Sequence, residues 1–216
     1  SNSVIVTSNT GFTFPAQASG TSYSVSVAIQ PSGQICSVTN ASGANISSNV
    51  TNVSVTCQSG YTVGGTVNGL AAGSSLVVRL NNGATKLINS TGAFAFSSLL
   101  ASGSVYQVSV GIQPAGQSCS VSGGLGIISG NVTNVTINCV TTYTVGGTIS
   151  NLVSSGLVLK LNNASTKIIS SGATSFVFST GLANGVSYSV TIGDQPSQQS
   201  CFIFNSTGSI TANNIN

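Results

Sequence analysis

Histidine, methionine and tryptophan are absent from this chain of 216 residues, and acids are reduced to one, Asp194. General acid–base catalysis needs a histidine or a carboxylate of tuned pKa, and glycoside hydrolysis needs a carboxylate pair. The chain offers neither, so it is not expected to be an enzyme. Calcium sites usually recruit several acids, and structural zinc recruits histidine or closely spaced cysteines; no metal or other cofactor is expected. Cations are nearly as scarce. Arg79, Lys86, Lys160 and Lys167 complete a charged inventory of 2%, where soluble domains carry roughly a quarter. Four scattered cations neutralise few phosphates, which excludes nucleic acid as an expected partner. No apolar run approaches the roughly 18 residues of a spanning helix, so no membrane span is expected.

What fills the chain instead is Ser, Thr, Asn and Gly around a hydrophobic fraction of 40%. That fraction supports a packed core and differs from the disordered signature of low hydrophobicity with high net charge. The order within it is a repeat of about 82 residues. Tyr61-Thr62-Val63-Gly64-Gly65-Thr66 returns as Tyr143-Thr144-Val145-Gly146-Gly147-Thr148, and Leu80-Asn81-Asn82 as Leu161-Asn162-Asn163. Phe12 and Phe14 match Phe94 and Phe96, then Phe176 and Phe178. A Gln-Pro run precedes Cys36, Cys119 and Cys201 in turn, starting at Gln30, Gln113 and Gln195. The repeats are placed at residues 1–57, 61–139 and 143–216, with three-residue joints that favour a semi-rigid rod.

Within a copy the apolar period is two, the signature of strands. Tyr106, Val108, Val110 and Ile112 are expected on one face, as are Leu76, Val78 and Leu80, and then Val135, Ile137 and Cys139. Asn81-Asn82-Gly83, Ser102-Gly103 and Ser122-Gly123-Gly124 carry turn chemistry. Six to eight short strands per copy predict an all-β chain of tandem immunoglobulin-like β-sandwich domains.

Equivalent placement pairs Cys36 with Cys57 and Cys119 with Cys139; free buried thiols and metal ligation are the alternatives. Disulfides point to an oxidising, extracellular or cell-surface setting. Cys201 is left unpaired or intermolecular. Counted on the repeat, the first copy lacks its Tyr-Thr-Val-Gly-Gly and Leu-Asn-Asn strands. The third lacks the counterpart of Val135–Cys139, Asn216 aligning with Asn134, and the loss is expected to expose core such as Phe178, Val190 and Ile192. The chain is therefore read either as cut from a longer array or as a strand-exchanging subunit. Val4, Ile5 and Val6 of a neighbouring copy are the candidate donor strand.

The combination of Tyr-Thr-Val-Gly-Gly-Thr, Gln-Pro-x-Gly-Gln-x-Cys-x-Val at Cys36 and Cys119, and Asn-Val-Thr-Asn-Val before Cys57 and Cys139 resembles the immunoglobulin-like tandem repeats of large bacterial cell-surface and secreted proteins. The resemblance covers the whole chain. It implies a stalk, fibre or adhesin-like role outside a bacterial cell, with no catalytic residues to carry over. The expected function is a structural segment of an extracellular filament, partnered by copies of itself or by the continuation of the array. The second reading is an adhesive module that recognises glycan or a host surface protein, for which Phe202 and Phe204 are the residues of interest. Arg79 with Lys160, and Lys86 with Lys167, recur at equivalent positions and read first as a solvated strand face, then as contacts to a neighbour or an anionic glycan.

Overall fold

The computed structural model describes residues 2–215. Ser1, Asn216 and the alignment of Asn216 with Asn134 lie outside the described residues. Every regular element among them is a strand, as the period of two requires.

The first region carries four strands: β1 (Tyr23–Ser24), β2 (Gln34–Thr39), β3 (Ser42–Gly43) and β4 (Ser54–Tyr61). β1 pairs with β3 and β2 with β4, all antiparallel. The middle region follows with β5 (Val63–Asn68), β6 (Leu76–Leu80), β7 (Ala84–Ile88), β8 (Gly92–Ala95), β9 (Leu100–Ala101), β10 (Val105–Ile112), β11 (Gln117–Ser122), β12 (Leu125–Ile127) and β13 (Val132–Tyr143). The last region holds β14 (Gly146–Thr148), β15 (Leu157–Leu161), β16 (Ser165–Ile169), β17 (Ser175–Val177), β18 (Leu182–Ala183), β19 (Ser187–Asp194) and β20 (Thr207–Ser209).

In the middle region one sheet runs β12-β10-β6-β7 and another runs β11-β13-β5-β8. A single core draws on both: Val63, Val67, Val135 and Ile137 from one sheet meet Leu76, Val78, Leu80 and Val108 from the other. Each such aliphatic side chain contributes about 1.5–3 kcal/mol when fully buried. The β6–β7 hairpin turns at Asn81 and Asn82, both at positive φ (51° and 56°), where asparagine is among the better tolerated residues. Asn162 and Asn163 repeat those angles between β15 and β16.

The strand alternation holds for Leu76, Val78 and Leu80 and for Val135, Ile137 and Cys139, all buried. It fails at Ile112, which is 59% exposed. The ladder shifts register between Val110 and Ile112, so a β-bulge turns Ile112 to the face opposite its expected one. The Arg79 side chain lies over Gly111 at that bulge, and Lys160 lies over Gly193 in the same way. The bulge thus gives the aliphatic stems of these cations a seat.

Three cross-strand pairs match a tyrosine with a glycine: Tyr23 with Gly43, Tyr106 with Gly126, and Tyr188 with Gly208. In each pair the ring covers the glycine, supplying surface that the glycine lacks. Paired phenylalanines recur as well. Phe12–Phe14, Phe94–Phe96 and Phe176–Phe178 meet edge to face at 5.9, 6.0 and 5.6 Å between ring centroids.

The last region has its own core of Val145, Leu152, Leu157, Leu159, Leu161, Ile169, Phe178, Val190 and Ile210. Phe178 and Val190 are buried there, contrary to the expectation that a missing last strand would expose them. Phe176, Cys201, Ile203 and Ile215 pack against the cluster. Ile192, by contrast, is partly buried.

Candidate functional site

The joints between regions are strands, not loops. β4 runs without a break through Gln58, Ser59 and Gly60 to Tyr61, where Gly60 pairs with Ala101 and Tyr61 with Leu100 of β9. β13 runs through Val140, Thr141 and Thr142 to Tyr143, where Thr142 pairs with Ala183 and Tyr143 with Leu182 of β18. One strand therefore closes a sheet in one region and opens a pairing in the next. Backbone hydrogen bonds therefore run from one region's ladder into the next across each joint, which restricts its swing.

Side-chain amides hold the strand ends where other proteins use charge. The Gln113 Nε2 donates to the Cys119 carbonyl at 3.0 Å, and its Oε1 accepts from the Cys119 N–H at 2.7 Å. Gln30 clasps Cys36 and Gln195 clasps Cys201 with the same pair of bonds. Gln117, buried, bridges the Gly69 carbonyl and the Ala71 N–H; Gln199 reaches from Asn151 to Val153 and Ser154. Asn81 ties the β6 turn to Val105 and Gln107, as Asn162 ties the β15 turn to Ser187 and Ser189. Sequence reading marked the Gln-Pro runs as a repeat but missed that their glutamines grip the cysteine backbone. The signal was there, in a glutamine kept six residues ahead of each of three cysteines.

Cys36 is bonded to Cys57 and Cys119 to Cys139, each pair directly opposite in its ladder. Cys201 is free and partly buried. Both bonded pairs tie a region's last strand to its neighbour, which fits an oxidising setting. Val4, Ile5 and Val6 are exposed, Ile5 at 90%, and lie outside every strand.

β13 and β5 run parallel and lie close. A Cβ on Gly65 would collide with the Val135 carbonyl, so this glycine is what admits β13. Entry is set by the Thr62 N–H, which donates to Asn131 Oδ1 at 3.0 Å, and by the Val132 N–H, which donates to the Thr62 carbonyl at 2.9 Å. The last region begins the same arrangement. The Thr144 N–H donates to Asn214 Oδ1 at 2.9 Å, and the Ile215 N–H donates to the Thr144 carbonyl at 2.9 Å. The Gly146 N–H donates in turn to the Ile215 carbonyl at 2.6 Å; from Gly147 on, β14 is paired with β17 on one side only, and Cys201, Phe202, Ile203 and Phe204 pair with no strand among the described residues.

Phe202 and Phe204 are 81% and 86% exposed while Ile203 between them packs on the core. The matching outward positions of β11 are Ser120 and Ser122. Two aromatic faces therefore stand on solvent where the middle region presents hydroxyls. The first region has a groove of about 750 Å³, lined in part by Phe12, Phe14, Tyr23, Val25, Ile46 and Val53. Among the described residues no three His, Cys, Asp or Glu side chains gather as metal ligands, and no helix is long and apolar enough to cross a membrane.

No protein-family model matches the sequence, and no curated protein matches it.

Proposed function

We propose that the chain is a structural segment of an extracellular filament or stalk. In this reading it is built of tandem immunoglobulin-like β-sandwich repeats of about 82 residues, at 1–57, 61–139 and 143–216, of the kind found in large bacterial cell-surface proteins. The observation that carries the reading is the pair of unbroken strands β4 and β13, each shared between consecutive regions. A stalk must transmit position and load along its length, and a shared strand couples neighbours without a hinge. The disulfides add a covalent tie at the strand that leaves each region. Near-absence of charge agrees with close self-association, since net charge normally keeps proteins apart. Assembly runs head to tail, by strand complementation between copies or by continuation of the array. No residue is assigned a catalytic role.

An adhesive module that binds glycan or a host surface protein is the second reading, and Phe202 and Phe204 favour it. Exposed aromatic faces are what a sugar ring stacks on. Electron microscopy of native cell-surface material separates the two readings. A periodic fibre labelled along its length supports the stalk, and label confined to a distal tip supports the adhesin.

A further inference from the structure

The last region keeps the fittings for a strand that none of its described residues supplies. Gly65 is needed because the Val135 backbone crosses it, yet at Gly147, the counterpart of Gly65, an added Cβ would meet only the Phe176 ring, at 3.0 Å. β14 is unpaired on that same side past Ile215, and the Ile215 bridge to Val145 is parallel, in the sense of β13 on β5. Aligned on the middle region, the far side of the gap falls to Cys201, which is gripped by Gln195 as Cys119 is gripped by Gln113 and packs against the core. In the middle region the residue directly opposite Cys119 is Cys139, to which it is bonded.

We propose that the gap between β14 and the Cys201–Phe204 segment is a strand-accepting site. Its occupant is an extended segment parallel to β14 with the pattern apolar-x-apolar-x-Cys, whose cysteine bonds to Cys201. The proposal rests on reading the last region as a repeat of the middle one. Ladder hydrogen bonds supply affinity and alternate apolar pockets supply register, as in other strand additions. Val135, Ile137 and Cys139 show the required pattern. The Ser3–Ser8 segment fits less well, because placing Val4 and Val6 in the two pockets puts Ser8 opposite Cys201. The covalent step is thiol–disulfide exchange. The Cys201 thiolate attacks the sulfur of an incoming cysteine already held in a disulfide, the old S–S bond breaks, and the displaced sulfur leaves with the electron pair and takes up the proton that Cys201 gave up.

The test uses the whole chain and a synthetic peptide of residues Asn134–Thr141 with its cysteine activated as a thiopyridyl disulfide. Coupling at Cys201 is followed by intact mass, and amide exchange is read at Thr148, whose N–H points away from β17, since the Gly146 N–H is already held by the Ile215 carbonyl and the Ile149 N–H by the Thr174 carbonyl. The peptide is expected to couple about tenfold or more faster than a scrambled peptide bearing the same activated cysteine, since docking positions the sulfurs, and to protect the Thr148 amide. Gly147→Ala, checked by its melting curve to be folded, should abolish both effects. Cys201→Ser should abolish coupling and retain protection. Equal rates for the two peptides, or coupling without protection at Thr148, would overturn the proposal. Equal protection by a Ser3–Ser8 peptide would overturn the requirement for cysteine. Native material without fibres, alongside intact peptide capture, would sink the stalk reading and leave the strand site standing.

Discussion

The middle and last regions carry nearly the same clasps and differ in what the clasps hold. Gln113 and Gln195 grip a cysteine backbone with matching bonds, Asn81 and Asn162 tie matching turns, and Asn131 and Asn214 receive matching threonine N–H groups. In the middle region the Gln113 and Asn131 clasps border a continuous ladder from β11 through β13 and β5 to β8. In the last region their counterparts border a gap, and the segment after Cys201 forms no strand. The glutamine clasp, which spans six residues, therefore forms without the ladder. The ladder itself depends on a strand far away in sequence. The first region makes the point more sharply: among its described residues Cys36 alone is a buried apolar side chain, and its phenylalanine pair lines an open groove.

The sharpest way to break the comparison is at the paired glycines. Gly65→Ala forces a methyl into the Val135 backbone and should destabilise the middle region by about 3 kcal/mol or more, the upper range for overpacking. Gly147→Ala meets only a ring edge and should cost less than about 1 kcal/mol. Urea unfolding followed by amide exchange in each region measures both, and equal losses would show that the gap is not open in solution.

Next in size is the disulfide. Replacing Cys119 and Cys139 by serine opens a loop of 20 residues and should cost about 3 kcal/mol in the chain-entropy model. Cys201→Ser, with no bond to lose, should leave the melting curve of the unliganded chain nearly unchanged. Reduction should loosen the first and middle regions without separating them, because neither bond spans a joint. Non-reducing peptide mapping that found Cys36 linked to Cys119 would refute this scheme.

Gln113→Ala removes two hydrogen bonds beside a paired strand and should cost about 1–2 kcal/mol. Gln195→Ala removes the same bonds beside an unpaired segment, and should cost about half as much or less, since less backbone is left stranded from water. Thermal melts of the two variants compare them directly.

The smallest effect is expected from solvent conditions. With no histidine and one acid, few groups change proton binding on folding between about pH 5 and 9, so the melting temperature should stay level across that range. Salt should matter as little, for want of ion pairs to screen. A shift of many degrees in either titration would mean that stability rests on groups other than the core and the amide clasps.

Much of this architecture could be read from the chain. A period of two in Leu76–Leu80 and Val135–Cys139 specifies strands with one buried face, because successive side chains point to opposite sides of the backbone. Asn81-Asn82-Gly83 marks a turn because asparagine and glycine tolerate left-handed backbone. What stayed hidden depended on distant partners. The outward turn of Ile112 required a bulge opposite Val77 and Val78, and local alternation carries no trace of an extra residue in a ladder. Burial of Phe178 depends on Phe176 beside it and on the distant residues of the last region's core.

The sequence by itself determined that the protein is all-β, where its turns fall, and which glutamines and cysteines recur, since these follow from side-chain period, backbone preference and spacing along the chain. Only the tertiary structure decided that the joints are shared strands, that Gly65 admits the neighbouring Val135 backbone, and that Gly147 meets only the Phe176 ring. Those facts concern how closely two backbones approach across space. That distance is set by every residue packed between them, and no local stretch of sequence contains it.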